Sequence, residues 1–511
     1  MSVDYDVAIV GYGPVGQLAA ILLGRAGWNV VVVERWPASF RLPRAVHFDD
    51  EIARILQDVG IRPDTSPVID PYDDLYEWRS ASGAALLRVD WRGRGLSGWH
   101  TSNHFSQPEL EDALDARVRR QPSVVVRRGV EATRVENYPD RVQLTVRSGD
   151  LSERIAARYV IACDGANSFV RDQVGITTHD LGFFYEWLII DVVPSSPMTF
   201  SPSAWQLCDP ARPTTVTPSG PGRRRWEFMM LPGEEPQEMD SLATAVRLLK
   251  PWGVNESNAT IERHTTYRFQ ARWAEQWQEG RVLLAGDAAH QMPPFAGQGM
   301  CSGFRDVSNL AWKLDRVLSG QSAAPILSTY GTERAPHVHD LVEYSMMLGR
   351  IICVTDPAEA AKRDAEMVAA GEQAVPPPRP RLGPGILDAA DPRAGRPSAQ
   401  GRVRLGGSEG LADDVLGGGW RLISWSPLDL PRSSSTLPLA VWPMSTDPSS
   451  AGVIDVDGSY ARWREALTGS GQPLPAAVLV RPDHYVHSVV SDPADLPALL
   501  TAVEGQVEGH V

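Results

Sequence analysis

Lysine is almost missing from this chain of 511 residues. It occurs only at Lys250, Lys313 and Lys362, so arginine carries nearly all of the positive charge. With a formal net charge of −14, the chain lacks the basic excess that nucleic acid or an anionic membrane surface requires, and neither is expected as a partner. Cysteine is also scarce. Cys163, Cys208, Cys301 and Cys353 are widely spread and form no C-x-x-C pair, which argues against a disulfide framework or a zinc site and makes the cytoplasm the expected compartment. No run approaches the roughly 20 apolar residues of a membrane span, and no basic stretch followed by an apolar core opens the chain. The remaining composition, 43% hydrophobic and 22% charged, is that of a globular protein, and the length asks for two or three domains.

What is present centres on residues 281–314, RVLLAGDAAHQMPPFAGQGMCSGFRDVSNLAWKL. A short apolar run, 282–285, reads as a buried strand. A loop of glycine, proline and small residues follows, carrying one carboxylate (Asp287) and one imidazole (His290). From Gly299 or Met300 a helix is predicted, with Phe304, Val307, Leu310, Ala311 and Leu314 at three- and four-residue spacing. A strand feeding such a loop and a helix start aims backbone N–H groups and a helix dipole at whatever fills the loop.

The N-terminus holds a second site of this kind. Residues 6–10 (DVAIV) are an apolar strand, followed by Gly11-Tyr12-Gly13-Pro14-Val15-Gly16, a helical pattern to Gly27, and a strand at 29–33 closing on Glu34. Strand, glycines, helix, strand and acid in register form the dinucleotide-binding βαβ fingerprint. Gly11 permits the tight turn, Gly13 the approach of a pyrophosphate, and Gly16 close helix–strand packing, while Glu34 is placed for both ribose hydroxyls.

The chain then departs from a plain Rossmann pattern. A basic loop occupies 41–44 (RLPR), strand patterning covers 76–91 around a turn at Ser82-Gly83, and Gln107-Pro108 opens a helix. Residues 159–163 (YVIAC) are a further apolar strand leading into Asp164-Gly165-Ala166-Asn167. Between 181 and 272 lie several β-like runs, read as an antiparallel sheet inserted into the nucleotide-binding unit. Helix is expected from 318 to about 370, then a stiff crossing rich in proline at 374–400, then a small α/β unit.

Three separated motifs, GYGPVG with Glu34, CDGANSFVR (163–171) and GDAAHQMPPFAGQGM (286–300), resemble in order and spacing those of the FAD-dependent aromatic hydroxylases, the single-component flavoprotein monooxygenases. The resemblance covers about residues 5–350. RRRWEFMMLPGE (223–234) is most similar to the 3-(3-hydroxyphenyl)propionate hydroxylase group, and the segment around Val480-Arg481-Pro482-Asp483 to the thioredoxin-like tail of phenol hydroxylase relatives. The implied fold is α/β with an α+β insertion. A Rossmann-like FAD-binding domain (1–75, 100–180, 275–370) carries an inserted antiparallel-sheet substrate domain (76–99, 181–274). A linker rich in proline (371–400) leads to a thioredoxin-like C-terminal domain (401–511) that has no cysteine and so no thiol redox chemistry.

The resemblance further implies FAD as cofactor, NADH or NADPH and O2 as co-substrates, a phenolic substrate, and at family level a homodimer. Gly11, Gly13, Pro14, Val15, Gly16, Glu34 and Arg35 would hold the adenosine diphosphate, and Asp287, with Gly286, the ribityl chain. Gln107 would lie along the flavin's linker. Arg44 would contact FAD beside the nicotinamide route, with Asp164 and Gly165 near the pyrophosphate and NAD(P)H. Pro294, Gly297, Gly299 and Met300 would border the isoalloxazine, and the Pro293 carbonyl would lie near the substrate's phenolic oxygen.

The expected reaction is ring hydroxylation through a flavin hydroperoxide, which needs a dry, apolar and aromatic site; the 16 tryptophans suit that. Deprotonating a phenol raises the electron density ortho and para to its oxygen, so a base or relay is expected beside that oxygen. His47, Tyr267 and His290 are candidates, His290 being more readily a structural residue of its loop. An arginine among Arg223, Arg224, Arg225 and Arg268 could pair with a substrate carboxylate, as in a 3-hydroxyphenylpropionate-type acid, or simply form a solvated face. A tailoring hydroxylase of a polycyclic aromatic natural product would share every cofactor motif. A flavin halogenase is opposed by the absence of lysine before Lys250. A non-catalytic FAD-binding protein is opposed by the intact motifs.

Overall fold

The computed structural model describes residues 3–39, 44–371, 374–426, 428, 437–469 and 473–509; positions 41–43 of the basic loop lie outside them. β1 (Tyr5–Val10) and β2 (Val30–Glu34) are runs of Val, Ile and Ala buried on both faces, as parallel strands covered on two sides require, and α1 (Pro14–Arg25) connects them. The chain leaves this sheet through β3 (Leu75–Ser80) and returns as β4 (Leu151–Ala162), parallel to β1 with Val7 opposite Tyr159 and Ile9 opposite Ile161. It leaves again as β5 (Thr178–Pro194), β6 (Ala204–Cys208), β7 (Thr214–Pro218), β8 (Arg224–Met229) and β9 (Ala259–Ala274), then returns as β10 (Val282–Leu284), parallel to β4. The first sheet therefore has the order β10-β4-β1-β2, extended beyond β2 by Val124–Arg128. β1, β4 and β10 all lead into glycine-bearing loops at one edge, where α/β sheets bind ligands. From the last loop starts α2 (Gly299–Leu318), and after it α3 (Ser328–Ile352).

The second sheet runs β9-β5-β8-β7-β6-β3, ending in Ala85–Asp90 and Ala374–Val375. It is mostly antiparallel, but β6 lies parallel to β3, and Ala374–Val375 parallel to Ala85–Asp90. The proline-rich crossing thus contributes a strand to this sheet instead of only spanning a gap. Alternation along the strands divides the sheet's two faces. Leu188, Ile190, Val216, Trp226 and Phe228 form an apolar core with Ala245 and Leu249 of the helix Leu242–Leu249. Their neighbours in sequence, Ile189, Asp191, Thr215, Thr217, Arg225 and Glu227, point the other way, toward the first domain. The helix expected from 318 to 370 is broken: α3 ends at Ile352, and a new helix, Pro357–Ala370, starts where Asp356 accepts from the backbone N–H of Ala358 and Glu359.

Residues after 400 form a seven-stranded sheet in which Trp420–Ser424 lies between the parallel Leu439–Ser445 and the antiparallel Ala477–Val480. Buried charge fixes this unit to the first domain. Arg481 donates to Glu333 of α3 at 2.7 Å and to Asp483 at 2.6 Å, and Lys313 of α2 reaches the same Glu333 at 2.8 Å. Burial opposes ionisation of Glu333, but Arg481 and Lys313 hold its carboxyl down to about 2. Nearby, Asp413 pairs with Arg54 at 2.5 Å and Arg421 at 2.7 Å. Tyr485 donates to Glu51 at 2.6 Å, and Glu51 in turn accepts from Arg305 of α2 at 2.8 Å.

Arg481→Met should leave Glu333 and Asp483 short of a buried partner and lower stability by about 3–5 kcal/mol in urea unfolding followed by tryptophan fluorescence. Arg402→Ala, which removes an exposed pair with Glu409, should cost less than about 1 kcal/mol in the same assay.

Candidate flavin and substrate site

Two cavities meet at the loop edge of the first sheet. One, about 560 Å³, runs along the ends of β1 and β2 past Gly11, Glu34, Arg35 and Asp164. The other, about 280 Å³, lies between the loop before α2 and the polar face of the second sheet. Gly13, Pro14, Arg44, Gln107, Cys163 and Gly165 border both, so the two form one bent channel.

The glycines of the first motif do three different things. Gly11 has φ +100°, and a Cβ there would lie 2.3 Å from the Cys163 carbonyl oxygen. A Cβ on Gly16 would lie 2.2 Å from the Gly11 carbonyl oxygen, so α1 rests directly on the turn. A Cβ on Gly13 would meet nothing within 4 Å, because it would point into open channel. The N-terminus of α1 lacks both a side-chain cap and an acidic residue in its first turn, and the same holds for α2. Both helix starts border the channel, at Pro14 and Val15 and at Gly299 and Met300, and the N–H groups of a helix's first turn have no partner within the helix. Val15 sits in a notch made by Gly286 and Gly303, where an added Cβ would come within 3.1 Å and 2.5 Å of it.

Glu34 accepts from the backbone N–H of Tyr12 and of Trp36, both at 2.8 Å, leaving further lone pairs toward the cavity. Arg35 lies over the Trp36 ring at 5.2 Å. Asp287 borders the inner cavity with no hydrogen-bond partner among the described residues. A pyrophosphate at α1, ribose hydroxyls at Glu34, ribityl hydroxyls at Asp287 and an anionic ring edge at α2 together fit FAD.

Other predicted residues act as supports. The Gln107 carbonyl oxygen accepts from the backbone N–H of Arg44 (2.9 Å) and Ala45 (2.8 Å), pinning the loop that carries Arg44. Asp164 accepts from the Ser168 hydroxyl at 2.5 Å and the Val170 N–H at 3.0 Å, and so caps the helix Phe169–Gln173 beside Gly165; burial raises its carboxyl. His290 is buried away from the channel, bonded to Asp306 at 2.7 Å, and Asp306 also takes the Gly286 N–H at 3.0 Å and the Arg334 side chain at 3.0 Å. Pro293 is buried too. Met292, Pro294, Phe295 and Gly297, on either side of it, border the inner cavity. Of the tryptophans only Trp91 borders the inner cavity among the described residues; Trp78, Trp187 and Trp226 are fully buried packing.

At the far end an aromatic cluster closes the cavity. His47 stacks on Trp91 (4.5 Å between centroids), Trp91 on Tyr76 (4.6 Å), and His104 meets His47 edge-on at 5.8 Å. The two imidazoles lie directly opposite one another in a small antiparallel sheet. Gly297, with φ +64°, leaves room for His47, whose Nδ1 would be 2.7 Å from a Cβ there. Burial lowers His47 to about 4 and His104 to about 3. His104 Nδ1 lies 3.1 Å from the Val46 carbonyl oxygen, so that nitrogen carries the proton and Nε2 keeps its lone pair. Neither ring nitrogen of His47, nor Nε2 of His104, has a partner among the described residues. Tyr267, 40% exposed, borders the cavity against Phe269.

The arginine run divides. Arg223 pairs at the surface with Glu109 and Glu262, Arg224 lies over Phe200, and Arg225 is buried in the cavity wall in a two-pronged pair with Asp191 at 2.7 and 3.0 Å. His104, Trp91, Glu227 and Arg263 were not singled out in the sequence. The alternation Arg225-Trp226-Glu227-Phe228 was the available signal for Glu227.

Residues 4–345 match the family model described as FAD binding domain. The chain is 35% identical to a probable NADH-specific resorcinol 4-hydroxylase of Rhodococcus jostii (strain RHA1), over 97% of this chain and 93% of that protein. It is 32% identical to a 3-(3-hydroxy-phenyl)propionate/3-hydroxycinnamic acid hydroxylase of Mycolicibacterium gilvum (strain PYR-GCK), over 94% and 88%. Among solved structures, the flavin-dependent monooxygenase PieE in complex with FAD and substrate superposes with a TM-score of 0.79 at 22% identity, covering 99% of this chain and all of that one (100%).

Gly13→Val should fold with an unchanged melting temperature yet purify without flavin absorbance, because its side chain enters only the channel. Gly16→Val should fail to fold, because its side chain strikes the Gly11 backbone. The imidazoles set an acid limit. In the unfolded chain they bind protons near pH 6.5, in the fold only near 4 and 3, so the unfolded state binds more protons across that interval and stability falls as pH drops from about 6.5 toward 4. His104→Asn, which keeps a donor for Val46, should flatten that slope by an amount on the order of 1–3 kcal/mol in denaturant titrations at pH 7 and pH 4.5.

Proposed function

Because the chain belongs to the FAD-dependent aromatic hydroxylases and is a flavoprotein monooxygenase acting on phenolic rings with NAD(P)H and O2, we propose that its substrate is a small single-ring phenol, that NADH is its reductant, and that His47 takes the phenolic proton. The observation that carries this reading is the pair of buried, neutral imidazoles facing the cavity with unpartnered ring nitrogens, set in an aromatic wall at the end of a channel suited to FAD. The relative named for NADH and resorcinol supports the choice of reductant and ring size.

Bound FAD supplies hydride acceptance from NADH and activation of O2; the remaining work falls to side chains and backbone of this chain. The N-terminus of α1 and Gly13 would hold the diphosphate, Glu34 the ribose, and Asp287 the ribityl hydroxyls. The N-terminus of α2, bordering the cavity at Gly299 and Met300, would stabilise the negative charge that a bound flavin gains on reduction. Met292, Phe269 and Phe295 exclude water from the reacting face. His47 is neutral at working pH and lies beside Asp49, whose carboxyl burial would raise but Arg305 holds down to about 2. Asp49 offsets only part of the burial that lowers His47, so the ring stays neutral and its lone pair is open to the phenolic hydrogen. Tyr267, its phenol raised by the protein mass around it and by Asp287, stays protonated and is a donor at the cavity edge.

The flavin-loaded protein should oxidise NADH faster in the presence of resorcinol or phenol and yield hydroxylated product. A yellow protein stimulated only by polycyclic phenols would overturn the single-ring reading. His47→Asn should retain flavin and lose about 10²–10³-fold in the rate of product formation. That loss should recover as pH rises toward the substrate's own phenolic pKa, where phenolate forms without a base. Wild-type kcat/KM should hold from pH 8 to about 5 and decline toward 4, as His47 becomes protonated.

A further inference from the structure

The polar wall of the second sheet contains two groups whose hydrogen-bonding capacity the protein uses only in part. Across the wall most side chains are spoken for. Thr215 donates to the Gln206 carbonyl oxygen at 2.7 Å, and the Gln206 amide donates to the Tyr76 hydroxyl. Arg225 spends its guanidinium on both oxygens of Asp191 and on the Arg44 carbonyl oxygen at 2.8 Å. Arg263 differs. It is 7% exposed and borders the cavity, its Nε is ion-paired with Asp191 at 3.0 Å, and its Nη2 has no hydrogen-bond partner among the described residues. Glu227, also 7% exposed and bordering the cavity, has among the described residues one long contact, 3.5 Å from Arg225 Nη1. Arg263 and Glu227 stand on β9 and β8, the two strands that flank β5, in adjacent rows: Arg263 opposite Asp191, Glu227 opposite Ile189.

We propose that Arg263 and Glu227 form a donor–acceptor subsite for a second hydroxyl on the substrate ring and so select neutral dihydroxybenzenes over phenolic acids. The inference rests on the hydroxylase reading above and specifies its substrate. A hydroxyl can accept from Arg263 and donate to Glu227 at once; a carboxylate can only accept. Charge points the same way. Two arginines, Arg225 and Arg263, face two acids, Asp191 and Glu227, and burial with Asp191 already raises the Glu227 carboxyl, so the wall resists further negative charge before a substrate enters. A carboxylate placed there would bring a third negative charge into a desolvated site and face Glu227 unpaired. A neutral hydroxyl adds no charge and satisfies both groups. The ring would then span the cavity, its activated hydroxyl at His47 and its second at Arg263 and Glu227.

The test compares resorcinol, phenol and 3-(3-hydroxyphenyl)propionate on the FAD-loaded wild type, Glu227→Gln and Arg263→Lys, each checked for flavin content and melting temperature. NADH oxidation and hydroxylated product are both scored. The wild type should prefer resorcinol to the phenolic acid by about tenfold or more in kcat/KM. Both variants should raise KM for resorcinol by about tenfold while leaving KM for phenol, which has no second hydroxyl, within about twofold. Glu227→Gln should also improve the phenolic acid relative to resorcinol. Equal losses on resorcinol and phenol would mean a merely structural role and overturn the subsite, as would a wild type that prefers the phenolic acid; the hydroxylase reading survives either result. If no phenol stimulates NADH oxidation by the flavin-loaded wild type, the hydroxylase reading fails, and the subsite with it.

Discussion

Val15 seated between Gly286 and Gly303 is the contact on which the rest of the channel depends. It draws the first turn of α1 against the loop that precedes α2, so two helix starts converge on one space. Each carries roughly half a positive charge in unpaired N–H groups, and neither has an acidic residue in its first turn or a capping side chain. Such an arrangement is unfavourable while the space holds only water, and becomes favourable when an extended anion spans it. Affinity for a dinucleotide whose phosphates lie at one helix and whose ring lies at the other follows from that geometry. No side chain larger than hydrogen at 286 or 303 would preserve it.

The second sheet meets a different demand. Its strands β6, β7 and β8 are buried on both faces, yet only one face is apolar. The strict alternation in Arg225-Trp226-Glu227-Phe228 keeps Trp226 and Phe228 in a hydrocarbon layer and sends charged groups inward, where each buried charge needs an opposite partner. Asp191, set between two arginines, meets that need for most of the wall. The groups left over are those a substrate can use, so recognition here arises from incomplete internal pairing.

Legibility in the sequence followed locality. Gly11, Gly13, Gly16 and Glu34 could be read because one βαβ unit fixes their relative positions, and Asp287 because strand, loop and helix follow one another without interruption. His104 could not. Its relation to His47 is a cross-strand register between segments 57 positions apart in the chain, and no local pattern encodes that pairing. Arg263 was hidden for a similar reason, since its unused nitrogen is apparent only once Asp191 is seen to be shared with Arg225. The break between α3 and the next helix was written in Asp356-Pro357, a capping residue ahead of a helix-starting proline, and the strand made by Ala374–Val375 depended on a distant edge at Arg88 and Val89.

The chain of contacts from Tyr485 to Glu51, and from Glu51 through Arg305 to Gln298 and Asp49, runs from the C-terminal unit to the residue preceding α2 and to the strand bearing His47. The described residues of the C-terminal unit therefore belong to the scaffold of the candidate site. During divergence a new C-terminal unit could be adopted only with matching changes at Glu51, Arg54 and Glu333, because each of these is buried, charged and bonded to a partner on the other side of the seam. Recombination at the proline-rich crossing, the place where the sequence looks most divisible, would separate residues that can only vary together.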